Sequence, residues 1–183
     1  MLRNILAALL LTAAPAFAEG DGPGPNLVIT VDGAAKGEIV IDLNIDKAPQ
    51  HVAQIVALAK QGSYDNVIFH RVIDGFMAQT GDVQYGKKGG DTASAGMGGS
   101  DMPNIPAEFS DIPFTRGAVG MARSADPDSA NSQFFIMFAP GDFLNGQYTV
   151  IGQVISGMEV VDAITRGEPP TTADVMTKVM VTE

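Results

Sequence analysis

Hydrophobic and polar positions alternate along much of this chain with the period of strands rather than helices. Leu27-Val28-Ile29-Thr30-Val31 is a strand candidate, followed by a turn through Asp32-Gly33. Glu38 to Leu43 alternates polar and apolar residues, as a half-buried strand does, and the two segments predict a hairpin. One stretch follows the helical period instead. Val52, Ile55, Val56 and Ala59 recur at i, i+3, i+4 and i+7. Pro49 suits the first helical turn, where its missing N–H costs nothing, and Gly62 suits the C-terminal cap.

Beyond Tyr64 the pattern becomes short strands broken by Gly, Pro and Asp: 67–71, 76–80, 118–122, 132–138 and 149–154. Residues 86–111 are rich in Gly, Ser, Asp and Pro, and a loop of that length in a compact domain is usually functional or a covering loop. A short second helix is expected from Met158 to Arg166, ended by Gly167, and Val175 to Val181 as a last strand. Many short strands with two helices suggest a closed antiparallel barrel or a sandwich.

The N-terminus has a different character. Arg3, the apolar run Ile5 to Leu11 and the small-x-small triplet Ala16-Phe17-Ala18 have the layout of a cleaved export signal over residues 1–18. The apolar run is shorter than the ~20 residues a membrane-spanning helix needs. Residues 19–26, rich in Gly and Pro, are expected to be a flexible leader to a single domain over 27–183. Arg3 is the one charge in the first eighteen residues, so the remainder carries ten basic and 21 acidic side chains, a net charge of −11. That acidity argues against nucleic acid or an anionic membrane surface as partner.

Composition narrows the chemistry further. The chain has no cysteine and only two histidines, His51 and His70, which excludes thiolate catalysis and multi-histidine metal sites. No G-x-S-x-G elbow occurs, and the glycine-rich run 86–100 lacks the G-K-[ST] ending of a phosphate-binding loop. The acidic residues fall mostly at turns, although a glycosidase pair stays open on sequence alone. The mixture on adjoining strands is more informative. Phe69-His70-Arg71 precedes Phe76-Met77-Ala78-Gln79, and Gln133-Phe134-Phe135 precedes Phe143-Leu144. Alternation points Phe69 with Arg71 and Gln133 with Phe135, setting an arginine and two amides among aromatic and methionine side chains. His70 is then expected on the opposite face as a hydrogen-bonded structural residue, and His51 at the surface in the first turn of the helix.

The blocks FHRVIDGFMAQTGD (69–82), MARSADPDSANSQFFIMF (121–138) and LNGQYTVIGQV (144–154) resemble the signature of the cyclophilins, in that family's order and spacing. The resemblance runs from about Leu27 to the C-terminus. It implies a mainly β fold, a closed eight-stranded antiparallel barrel capped by two α-helices, with a groove on its outer surface. It also implies peptidyl-prolyl cis–trans isomerase activity without any cofactor or metal. Arg71 stands at the position of the catalytic arginine. Phe76, Met77, Phe135 and Leu144 match the proline pocket, and Phe76 is counted with Arg71 and Gln79 as catalytic. Gln79 matches the glutamine that supports the arginine, while Ala122, Arg123 and Gln133 match the subsite for residues preceding proline.

Three positions depart from the best-known members. Phe143 replaces a tryptophan, Tyr148 a histidine and Arg123 an asparagine. The first two resemble bacterial members; loss of the indole N–H predicts weak cyclosporin binding, with the aromatic pocket wall retained. The implied partners are proline-containing unfolded or partly folded polypeptides. The expected protein is a monomer without a membrane anchor, located in the periplasm, with full secretion as the alternative, where it assists folding of exported proteins.

Overall fold

The computed structural model describes residues 22–183; the expected signal peptide and the first residues of the leader lie outside them. Nine strands and two α-helices occur among the described residues: β1 (Asn26–Asp32), β2 (Gly37–Leu43), α1 (Pro49–Lys60), β3 (Val67–Ile68), β4 (Arg71–Ile73), β5 (Met77–Thr80), β6 (Ala118–Met121), β7 (Phe134–Met137), β8 (Val150–Ser156), α2 (Met158–Ala163) and β9 (Val175–Thr182). No helix among the described residues is long and apolar enough to cross a membrane. Residues 22–25 run beside β2, with Gly22 donating to Asp42 and Leu43 donating to the Pro25 carbonyl.

All strands join one antiparallel sheet in the order β3-β9-β1-β2-β8-β6-β7-β5-β4. The predicted β1–β2 hairpin is present, with Ile29 opposite Ile39. The expected closed barrel of eight strands is not what forms. The sheet is a curled half-barrel of nine, and its two outermost strands, β3 and β4, do not pair. They are consecutive in the chain, separated only by Phe69 and His70. The single strand expected over 67–71 is thus two short ones, because the chain leaves one end of the sheet and enters the other within two residues.

Curling makes both sheet faces apolar where loops cover the outside. Every residue of β7 is buried. Phe134 and Ile136 enter the main core on the concave side, with Leu27, Ile39, Val52 and Ile55. Phe135 and Met137 enter a second cluster with Met77, Phe114, Leu144 and Val150. Strand periodicity alone produces this division.

The helix α1 keeps its expected limits, and Gly62 follows its end with φ 72°. It packs against β9, and α2 packs against β2. The helix α2 stops three residues earlier than expected, and Gly167 belongs to a bridge with Val72 rather than to a helix end.

His51 is not at the surface: it is fully buried. Its Nδ1 lies 2.6 Å from Oε2 of Glu108, contributed by the long loop. The same carboxylate accepts from the backbone N–H groups of Gln50 and His51, so a residue 57 positions away caps the helix that lacks a side-chain cap of its own. Burial alone would raise the Glu108 pKa, but hydrogen bonds from His51 and Gln50 outweigh it and hold the carboxyl below the usual range. Glu108→Ala is expected to lower unfolding free energy by about 1–3 kcal/mol in urea titrations at pH 7. A depressed native pKa stabilises fully above the unfolded value of about 4.3 and is lost as pH falls through the native one. The difference between wild type and variant should therefore shrink in strongly acidic solution.

Candidate active site

The residues singled out from sequence converge on the convex side, over the second apolar cluster. Arg71, Phe76, Met77, Gln79, Ala122, Arg123, Phe135, Phe143, Leu144 and Tyr148 line one open cleft of about 430 Å³. Its floor is Met77, Phe135 and Leu144, each at most 6 % exposed. Phe76 and Phe143 form one wall, with ring centroids 5.5 Å apart, and Phe143 keeps 65 % of its surface exposed. Phe135 is stacked on Phe114 at 5.7 Å. A side chain at Gly120 would meet both rings within 2.6 Å, so the floor requires glycine there.

A second cleft adjoins the first, lined by Gln79, Ala122, Arg123, Gln133 and the loop residues Gly96 to Gly98. Arg123 borders both. Its guanidinium lies 4.3 Å from the centre of the Tyr148 ring and donates to the carbonyls of Ser124 and Gln147. Arg123 therefore forms a partition between the clefts.

The polar groups form a directed chain. Nε2 of Gln133 donates to the carbonyls of Gly96 (3.0 Å) and Gly98 (2.7 Å), which turns its oxygen toward Gln79. Nε2 of Gln79 donates to that oxygen at 2.9 Å, turning its own oxygen toward Nη1 of Arg71 at 3.5 Å. The loop is in turn held by Asp82, fully buried after β5. Its carboxylate accepts from the N–H groups of Gln84, Tyr85, Gly96 and Gly98. Phe114 is not marked by sequence pattern, Asp82 closes the 69–82 motif block without its role being readable from it, and only the length of the glycine-rich loop signals Gly96 and Gly98.

Two orientations differ from expectation. Phe69 is buried in the concave core and does not point with Arg71, because Phe69 and His70 lie outside strand geometry and alternation does not carry across them. His70 instead borders the same groove as Arg71, Gln79 and Glu168. It is buried beside the Gln133 amide, so the expected place on the face opposite Arg71 is corrected while a hydrogen-bonding neighbour is present. Glu168 accepts from Nε of Arg71 at 2.7 Å.

A family model for the cyclophilin type peptidyl-prolyl cis-trans isomerases matches residues 27–183. The chain belongs to that family. A probable peptidyl-prolyl cis-trans isomerase of Brucella suis is 62 % identical over 133 residues, covering 72 % of this chain and 68 % of the relative. Peptidyl-prolyl cis-trans isomerase B of Escherichia coli is 39 % identical over 136 residues, covering 70 % and 78 %. Among solved structures, a cyclophilin from Hirschia baltica superposes with a TM-score of 0.72 at 26 % identity, covering 85 % of this chain and 73 % of the other. A Cryptosporidium parvum isomerase, crystallised in the presence of the dipeptide Ala-Pro, has the same fold, with a TM-score of 0.74 at 24 % identity over 86 % and 99 %. This isomerase accordingly accelerates rotation about X–Pro bonds.

The buried His70 gives a pH signature. Desolvation is the main influence and lowers its pKa; the nearby Asp82 charge and Gln133 amide pull the other way, and Arg71 lowers it further. With a depressed native pKa, the unfolded chain binds more protons below about pH 6.5, so stability is full above that pH and falls as the solution is acidified. Wild type is expected to lose unfolding free energy between pH 7 and 5, and His70→Leu to lose less, in paired urea titrations.

Proposed function

We propose that Arg71 is the catalytic group, that Phe76 and the apolar cleft grip the substrate proline ring, and that Gln79 steers Arg71. The observation that carries this reading is a guanidinium at the lip of an apolar cleft, backed by an oriented amide. The barrier to rotation is the loss of amide resonance, about 18–20 kcal/mol. No bond breaks, so the reaction needs neither nucleophile nor proton transfer. A cleft floored by Met77, Phe135 and Leu144 fixes the ring while the preceding acyl group turns. As the prolyl nitrogen leaves conjugation it becomes pyramidal and basic, and a donor near it stabilises the twisted state more than either planar one. Arg71 supplies that donor, and its planar fork also holds a carbonyl oxygen.

A charged donor of order 3 kcal/mol gives about a hundredfold in rate, at 1.36 kcal/mol per tenfold. Arg71→Ala should thus reduce kcat/KM for an Ala-Pro-Phe-type peptide by about a hundredfold, with the fold intact by circular dichroism. Arg71→Lys should recover little, since lysine loses the fork. Equal rates for wild type and Arg71→Ala would remove Arg71 from its role.

Residues preceding proline are assigned to the second cleft, between Ala122, Arg123 and Gln133. The clients are proline-containing polypeptides undergoing folding after export, and the site of action is the periplasm, reached through a cleaved signal over residues 1–18. The layout of those eighteen residues supports this assignment. Mass spectrometry of the protein recovered from its native host is expected to show a chain starting at Glu19; an intact Met1 would count against it.

A further inference from the structure

The outer side of β4 carries one narrow bridge. Val72 donates to the Gly167 carbonyl at 2.8 Å, and Gly167 donates back to Val72 at 2.9 Å. In an antiparallel register that pairing sets the next residues, Arg71 and Glu168, opposite one another. Glycine suits position 167, because φ there is 148° and a Cβ would lie 2.5 Å from Cα of Pro170. The bridge thus delivers the Glu168 carboxylate to Nε of Arg71 at 2.7 Å.

The contact does little for stability. The two side chains are 42 % and 51 % exposed, and ion pairs of that kind contribute about 0–1 kcal/mol. Its effect on geometry is larger. A guanidinium has five N–H groups in one plane. One, on Nε, is committed to Glu168, and one, on Nη1, reaches Gln79. Two fixed points on opposite sides set the plane and the long-axis rotation of the group, leaving three N–H groups for substrate. The contact to Gln79 is the weaker, at 3.5 Å, and by itself leaves the plane free to turn about it.

We propose that Glu168 is a positioning residue for Arg71, holding the guanidinium plane in the orientation that meets the twisted prolyl bond. This rests on Arg71 being the catalytic group. The carboxylate also offsets part of the positive charge of Arg71, but at half exposure that influence is screened, so loss of orientation dominates when Glu168 is removed.

The test measures kcat and KM for an Ala-Pro-Phe-type peptide in wild type, Glu168→Ala and Glu168→Gln, each with Arg71 intact and in an Arg71→Ala background. Glu168→Ala should lower kcat by roughly tenfold with KM within about twofold, the scale of a misplaced catalytic group. Glu168→Gln should recover most of the loss, because its amide oxygen still accepts from Nε. In the Arg71→Ala background neither substitution should matter. The Nε–H resonance of Arg71 should be protected from solvent exchange in wild type and lose that protection in Glu168→Ala. An unchanged or raised kcat in Glu168→Ala overturns the proposal, as does an equal loss in both backgrounds. If Arg71→Ala alone matches wild type, the assignment of Arg71 fails and the role of Glu168 falls with it, a result distinct from the other two.

Discussion

One buried carboxylate fixes the direction of the hydrogen-bond chain that reaches Arg71 through Gln133 and Gln79. Asp82 can only accept, and it gathers four backbone N–H groups, two of them from Gly96 and Gly98. With those amides turned inward, the neighbouring carbonyls face Gln133 and leave its amide a single workable orientation. Gln79 and then Arg71 inherit that choice. An amide side chain is nearly symmetrical in shape, so without a fixed acceptor at the start the chain would have two settings of similar energy. A reaction that depends on a donor being on the correct side of a nitrogen cannot tolerate that ambiguity. Glycine at 96 and 98 also lets the loop pass close: a side chain at Gly98 would strike Asp82 itself.

The apolar framework answers the same need differently. Strand β7 must satisfy two clusters at once, Phe134 and Ile136 on one face, Phe135 and Met137 on the other. A one-residue slip would exchange the floor of the cleft with the core, so register is strongly specified. The floor is therefore as rigid as the interior it backs onto. The residues that vary its character, Phe143 and Arg123, stand at the rim, where substitutions carry less cost in packing.

Much of this was legible in the chain because it depends on short-range periodicity. The apolar stripe of α1, the hairpin of β1 and β2, and the alternation of side chains along β7 all arise within a few residues. The contents of the cleft were legible through motif resemblance. What escaped depends on distant partners. Burial of His51 follows from Glu108 in the long loop, and the place of His70 follows from a switch between strands that alternation cannot signal. Glu168 lies 97 positions from Arg71, and nothing near it in the chain marks it out. The open half-barrel was hidden for the same reason: strand count is a local property, and closure is not.

The seam between β3 and β4 has a consequence for how the molecule coexists with its substrates. A sheet rim with unpaired N–H and C=O groups is a template onto which an extended polypeptide can add itself. Here residues 86–88 lie along β3, through Ile68 to Gly86 and Lys88 to Asn66, and Gly167 occupies β4. Both rims are thus taken by the protein's own backbone. A catalyst of prolyl rotation handles flexible chains with free backbone groups. Sealing the rims confines capture to the groove, where a bound chain can turn and leave, and denies it a strand pairing from which it would not.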